Sequence, residues 1–466
     1  MPKQFSSQRT TLYVVMVTSF MTTFMGSSVN LALPAMSYEF GSSAVLASWV
    51  ISAYLLSSAI FLLPFGRLAD IYGRRRVYLL GTILYTFFTL GSTLVLSMPM
   101  LIVCRLLQGL SSAMIFSTGM AILSTAYPPD KRGRALGYNV AVTYLGLSMG
   151  PVLGGVMNHY FGWRSIFYLT TLLGLMASLG IQFRLQEEWA GARGEQYDSV
   201  GSLLYIAGLF AILYGLSSIS SSPWTPYLLL TGFALLLLFI LWELRIPYPI
   251  LRVRLFQRNK AFAFSNLAAM INYSATFAVT FLLSVYLQVV QGYSSQTAGL
   301  ILLAQPLIMA ILSPLAGTLS DRVEPRLVAS IGMSFSALSL FFFIFLHANT
   351  APGWVVANLL LAGFGFALFS SPNNNAIMGS VSIPLYGTAS SILGTMRLVG
   401  QAVSMSIVTL LISVFIGQVP LTQANPVSLL ACMRTSFIIF TTLCILGIFA
   451  SLARGSLHEN ETISDN

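Results

Sequence analysis

Runs of residues without a single formal charge follow one another along almost the whole chain: 10–38, 40–66, 77–104, 106–129, 135–163, 165–183, 199–242, 261–320, 327–396, 398–433 and 435–453. A helix needs about 20 apolar residues to cross hydrocarbon, and each run meets or approaches that length. A transmembrane barrel would instead alternate over segments of about 10 residues, a pattern absent here. Only 8% of the 466 residues are charged and 56% are hydrophobic, whereas soluble domains are about 25% charged. There is too little charge to cover a water-facing surface. The fold class is an all-α polytopic membrane protein.

Turn residues divide the longest runs. Pro223-Trp224-Thr225-Pro226 splits 199–242, Gln291 to Ser295 splits 261–320, and Ala351-Pro352-Gly353 with the Ser382–Pro384 region splits 327–396. The expected count is fourteen transmembrane helices, at about 12–34, 45–66, 77–96, 99–122, 136–158, 164–184, 199–219, 226–243, 262–290, 297–318, 327–347, 354–378, 386–415 and 432–453. With the N-terminus inside, this count puts all but Arg105, Arg164, Arg397 and Arg434 of the 23 basic residues on inside connectors. Lys and Arg accumulate on cytoplasmic loops, so both termini are expected in the cytoplasm. The same rule explains the net charge of +10 without a nucleic-acid partner. Cys104, Cys432 and Cys444 all lie in apolar runs with no CxxC pair, so no disulfide framework, metal or cofactor is expected.

The chain repeats itself. Gly66-Arg67-Leu68-Ala69-Asp70 follows the second span, and Gly317-Thr318-Leu319-Ser320-Asp321-Arg322 follows the tenth. Two halves related in parallel are a transporter design. The expected domains are a six-helix bundle over 1–190, an inserted two-helix hairpin over 191–245, and a second six-helix bundle with a short tail over 246–466.

Three motifs then carry a resemblance. Gly66 to Arg76, with Asp70, Gly73 and Arg74, looks like the signature loop between the second and third helices of the major facilitator superfamily. Arg105-Leu106-Leu107-Gln108-Gly109 resembles its fourth-helix R-x-x-Q-G motif, and Gly146 to Gly155 resembles the fifth-helix motif associated with antiporters. With fourteen helices, the chain resembles the drug:proton antiporter branch, multidrug efflux type. The resemblance implies alternating-access export of small amphiphilic molecules driven by a proton or other ion gradient, by a monomer in the plasma (inner) membrane. It also implies that Gly66, Asp70, Gly73, Arg74 and Asp321 latch the two halves together. The arginines Arg74–Arg76 can equally serve only to orient the chain, and Asp130 is a possible partner for one of them.

Gly146, Gly150 and Gly154 recur every fourth residue and share one helix face, where small residues let helices approach closely; Pro151 can soften the helix and Gly155 follows. They read either as packing or as a leak-proof hinge contact between halves. Arg105 carries a full charge in a span, which costs about 2.5–3.5 kcal/mol on the insertion scale and marks a functional candidate, unless it snorkels to the outer interface. Arg397, in mid-helix, invites the same reading. Gln108, Asn30 and Asn374 complete the expected substrate- and proton-handling set.

One departure counts against lipophilic dications as substrates. The branch carries an acid in its first helix, and Met25 stands at that place, ahead of the matching Asn30-Leu31-Ala32-Leu33-Pro34. None of the thirteen Asp and Glu falls in a span core, so deep charge is expected only at Arg105 and Arg397, and the cavity should be positive. No nucleophile–base pair is apparent, so an enzyme is not expected. A dedicated exporter of an anionic metabolite or lipid-like molecule is the alternative, and a non-transporting sensor a more distant one.

Overall fold

The computed structural model describes residues 2–185, 187–220, 223–320, 322–382 and 385–455, the side chains of 2–7, 129 and 130 excepted. Asp321, and the side chain through which Asp130 would pair, therefore lie outside the described residues. The described chain is all-helical, with no strand beyond one isolated bridge, Ser43 to Pro420.

Helices α1 (Pro2–Glu39), α2 (Ala44–Tyr72), α3 (Arg74–Gly91), α4 (Met98–Ala126), α5 (Pro129–Phe161) and α6 (Arg164–Arg184) pack together as a first set. Helices α7 (Ser199–Ser217) and α8 (Thr225–Glu243) form a hairpin, and α9 (Val253–Arg258) is a short connector helix. A second set holds α10 (Lys260–Thr276), α11 (Val279–Val285), α12 (Ser295–Leu302), α13 (Ala304–Ser320), α14 (Pro325–Phe343), α15 (Pro352–Gly379), α16 (Tyr386–Phe415) and α17 (Pro426–Leu452). Hydroxyls inside these helices turn back on the preceding turn, as Thr82, Thr86 and Thr89 do to the carbonyls of Tyr78, Thr82 and Tyr85 at 2.6–2.8 Å. Polar side chains are thereby satisfied without water.

Among the described residues thirteen helices are long and apolar enough to cross a membrane, one fewer than the charge pattern suggests. The missing one is α3. It is only 18 residues long and begins with Arg74-Arg75-Arg76, so three charges fall inside its length. Two expected spans are segmented: 262–290 runs as α10, α11 and a π turn over Tyr286–Val290, and 297–318 as α12 and α13. The last span starts at Pro426 rather than 432, because Asn425 caps it by accepting from the Val427 amide at 2.9 Å. Arg434 thus sits inside the helix on an exposed face.

The two sets meet along α2–α16, α5–α12, α5–α13 and α1–α11. Hydrogen bonds cross the seam near the end where α1 stops and α2 starts. The Ala44 amide donates to the Val419 carbonyl (2.8 Å), the Ser284 hydroxyl to the Asn30 carbonyl (2.9 Å) and the Ser295 hydroxyl to the Gly155 carbonyl (3.0 Å); Ser52 and Thr409 share a bond of 3.0 Å. Toward the opposite end the described hydrogen bonds between the sets give way to looser approaches, with a Cβ on Gly66 of α2 3.8 Å from Ser391 of α16 and one on Gly394 of α16 3.9 Å from Leu62 of α2. The seam is sewn at one end. The hairpin lies across it, the Tyr205 hydroxyl donating to the Ala59 carbonyl of α2 (3.0 Å) and the Ser406 hydroxyl of α16 to the Leu213 carbonyl (3.1 Å).

Candidate functional site at the seam between the two helix sets

Halfway along the seam, three helices converge on Tyr273 of α10. The half-buried Arg397 of α16 and Ser370 of α15 lie near its hydroxyl, and Tyr144 of α5, from the other set, lies within electrostatic reach of it. The Phe366 ring meets the Tyr273 ring edge-on at 5.4 Å. None of the described ion pairs includes Arg397. A mid-span guanidinium outside the described ion pairs, beside the Tyr273 hydroxyl, can receive an anionic or hydrogen-bond-accepting group. The sequence singled out Arg397; Tyr144 and Tyr273 carried no charge or motif to mark them.

Arg105 lies elsewhere. It is 1% exposed, inside the first set, with Nε donating to the Val50 carbonyl at 3.0 Å and its guanidinium 4.4 Å from the Tyr54 ring centroid. Another of its nitrogens donates to the Gln108 side-chain oxygen, and the Gln108 amide donates to Thr89 at 2.6 Å. Arg105 and Gln108 therefore form one knot across α2, α3 and α4. Burial rules out snorkelling, and the knot turns the charge away from the seam, so deep positive charge there comes from Arg397.

Asn30 is 4% exposed beside the sewn end, where its backbone carbonyl holds Ser284 and its side-chain oxygen has no partner among the described residues. Asn374 is exposed on α15, and its neighbour Asn373 is the buried member of the triplet. One residue along a helix is a turn of about 100°, enough to exchange outside for inside. Asn373 accepts from Arg454 at 3.1 Å and donates to the Ser265 carbonyl at 3.2 Å. Arg454, read from sequence as an orienting surface base, is 2% exposed and also holds the Ser451 carbonyl at 2.8 Å. Burial pushes its guanidinium down to about 10, with Glu324 pulling the other way and Arg326 reinforcing the fall.

The glycine motif of α5 divides between two faces. A Cβ on Gly146, Gly150 or Gly154 would run into α1 at Thr23, Ser27 or Ser28. A Cβ on Gly155 would overlap the Ser295 carbonyl oxygen of α12, and the Pro151 carbonyl fills the matching place beside Gly299. Three glycines thus pack α5 inside the first set; Gly155 and Pro151 make the contact between sets.

The loop after α2 is held within its own set. Asp70 accepts from Arg74 Nε at 2.7 Å, and Arg74 reaches Thr125 at 3.0 Å. The 187–198 connector closes over it: the Arg74 amide donates to the Trp189 carbonyl (2.8 Å), the Ala192 amide to the Asp70 carbonyl (2.9 Å), and Arg67 pairs with Glu195. Gly66 is the member that faces the second set, with Ser391 of α16 3.8 Å from where its Cβ would stand. Gly73 has φ +121°, a region other residues rarely adopt, and a Cβ there would stand 2.6 Å from the Glu188 carboxylate. Gly73→Ala should therefore lower stability by about 2 kcal/mol, from left-handed strain of about 1–2 kcal/mol and displacement of Glu188. Thermal unfolding in detergent measures it; an unchanged midpoint would refute this account of the loop.

The chain matches the Major Facilitator Superfamily over residues 15–242, 192–405 and 265–465. It is 31% identical over 387 residues to the riboflavin transporter RibZ of Clostridioides difficile (strain 630), covering 83% of this chain and 84% of that one. It is 32% identical over 384 residues to the multidrug resistance protein Stp of Mycobacterium tuberculosis (strain CDC 1551 / Oshkosh), covering 81% and 71%. A crystal structure of the peptide transporter POT in complex with sulfate superposes with a TM-score of 0.69 at 16% identity, covering 94% of this chain and 93% of that one. The chain is a membrane transporter belonging to the Major Facilitator Superfamily.

Proposed function

We propose that the chain is a proton-coupled exporter of small amphiphilic organic molecules working by alternating access. The observation that carries this reading is the seam: sewn at one end, with Arg397, Tyr273 and Tyr144 drawn from both sets halfway along it. Similarity to Stp supports efflux. In this reading 1–190 and 246–466 are the two moving bundles, 191–245 the inserted hairpin, and α3 the fourteenth span. The loop at Asp70 faces the cytoplasm with both termini, in the plasma membrane. The described conformation is then closed outward, and Gly155, Pro151 and Gly299 form the outer gate. Gly66, Asp70, Gly73, Arg74 and Asp321 shape the inner closure. Among the described residues every carboxylate stands near a helix end or in a connector, so Arg397 sets the cavity's sign and favours neutral or anionic substrates.

Purified protein in liposomes under an imposed pH gradient, offered matched cationic, neutral and anionic fluorescent amphiphiles, tests this. Gradient-driven movement of neutral or anionic probes is expected. No movement of any probe would overturn the exporter reading. The absence of a spanning carboxylate and the similarity to RibZ favour one second reading, a transporter dedicated to a single neutral or anionic molecule. Movement of one probe to the exclusion of all others would select it.

A further inference from the structure

Four described carboxylates pair with arginine: Glu39 with Arg164, Asp70 with Arg74, Glu188 with Arg76 and Glu195 with Arg67. Asp198 and Glu243, at the base of the α7–α8 hairpin, are in none of the described ion pairs, and each is only 4% exposed. They stand side by side. The point where a Cβ on Gly201 would lie falls 2.6 Å from Glu243 Oε1 and closer still to Asp198 Oδ2.

Their donors are unevenly shared. Asp198 Oδ1 accepts from the Gly201 amide at 2.9 Å and the Trp242 indole at 3.1 Å, and the same indole reaches Oδ2 at 3.2 Å. Glu243 Oε2 accepts from the Leu251 amide at 3.0 Å. Glu243 Oε1 has no hydrogen-bond partner among the described residues, although the Ile250 amide also approaches this carboxylate. Among the described residues no cation forms an ion pair with either carboxylate. Arg245 is exposed, Arg254 donates to the Leu244 carbonyl at 3.1 Å, Arg67 of α2 is occupied by Glu195, and the neutral Tyr197 hydroxyl accepts from Ser202 at 2.8 Å.

Two adjacent buried carboxylates cannot both ionise cheaply. We propose that Asp198 and Glu243 share one proton, carried on Glu243 Oε1 and donated to Asp198 Oδ2, and that this pair is a proton-binding site of the transporter lying on the hairpin, outside both bundles. The donor-rich Asp198 is the carboxylate, and the orphan oxygen is the acid. Loss of the proton leaves two facing anions, which separate by releasing Glu243 from the Leu251 amide and loosening the hairpin from the α8–α9 connector. The hairpin is bonded to α2 and to α16, so this movement reaches both sets. The coupling role rests on the proposed transport function; the proton itself does not.

Infrared spectroscopy of the purified protein, titrated upward from neutral pH, tests the proton without any substrate. A protonated-carboxyl band is expected that shifts in deuterium oxide, fades as pH rises and is lost in Glu243→Gln. Glutamine keeps the donor to Asp198, so this variant should fold; if it does not, Asp198→Asn must remove the band instead. No band, or one that survives both substitutions, overturns the site. In liposomes Glu243→Gln should transport with its dependence on pH flattened at least five-fold. A pH profile matching wild type would overturn the coupling role, whereas a transport-dead wild type with the band intact would sink the exporter reading and leave the proton site standing.

Discussion

Gly299→Ala should cut transport about ten-fold or more while the protein stays folded. The α12 backbone at Gly299 is helical, so alanine brings no backbone penalty of its own. What it brings is a methyl group where the Pro151 carbonyl already lies, with the carbonyl carbon 2.9 Å away. Neither is a side chain that can swing aside, so α5 and α12 must separate. Overpacking of this kind costs about 1–3 kcal/mol, and each 1.4 kcal/mol is about ten-fold in an equilibrium. The cost falls on the conformation in which the sets touch, because the contact exists only across the seam. Gly155→Ala attacks the same contact from the other side, against the Ser295 carbonyl. The double variant should therefore be less damaging than the product of the two singles, since one separation relieves both. Gly26→Ala is the control, with nothing within 4 Å of its Cβ position. Wild-type transport by Gly299→Ala would show that the α5–α12 contact is no gate.

Charge-free runs reveal most spans because hydrocarbon penalises charge whatever the fold. They miss the first turn of α3 and the start of α17 for the complementary reason: a helix tolerates Arg74 or Arg434 wherever that side chain reaches water or a partner. The every-fourth glycine spacing of α5 located a close helix contact. It could not reveal that Gly150 meets α1 whereas Gly155, about 140° further round, meets α12. Arg105 and Gln108 were visible as costly polar groups, yet their knot depends on Val50 and Thr89 from other helices. Arg454 looked like a surface base because it follows the last span, and its burial depends on Asn373 and Ser265 folding over it. The same limit hid the Asp198–Glu243 pair, whose members are 45 positions apart in sequence and meet only when the hairpin closes.

Arg397→Ala and Arg105→Ala should fail in different ways, although both remove a charge from a span. Arg397 is half-buried, free of the described ion pairs, and set beside Tyr273. Its loss removes field and leaves little unsatisfied, so the protein should remain folded with altered selectivity. A unit charge about 8 Å away, at an effective dielectric of about 20, is worth about 2 kcal/mol, or about thirty-fold in the preference for an anionic over a neutral probe of one shape. Arg397→Lys, which keeps the charge, should retain most of that preference. Arg105→Ala strips donors from the buried Val50 carbonyl and the Gln108 oxygen and opens a void against Tyr54. Each buried acceptor left bare costs about 1–3 kcal/mol, so that variant should unfold at lower temperature with its charge preference unchanged in the fraction that survives. Charge preference measured in liposomes, beside thermal unfolding in detergent, separates the two arginines. If Arg397→Ala keeps the wild-type preference and Arg105→Ala loses it at full stability, the substrate meets charge at the α2–α4 knot, and the seam is a path for movement alone.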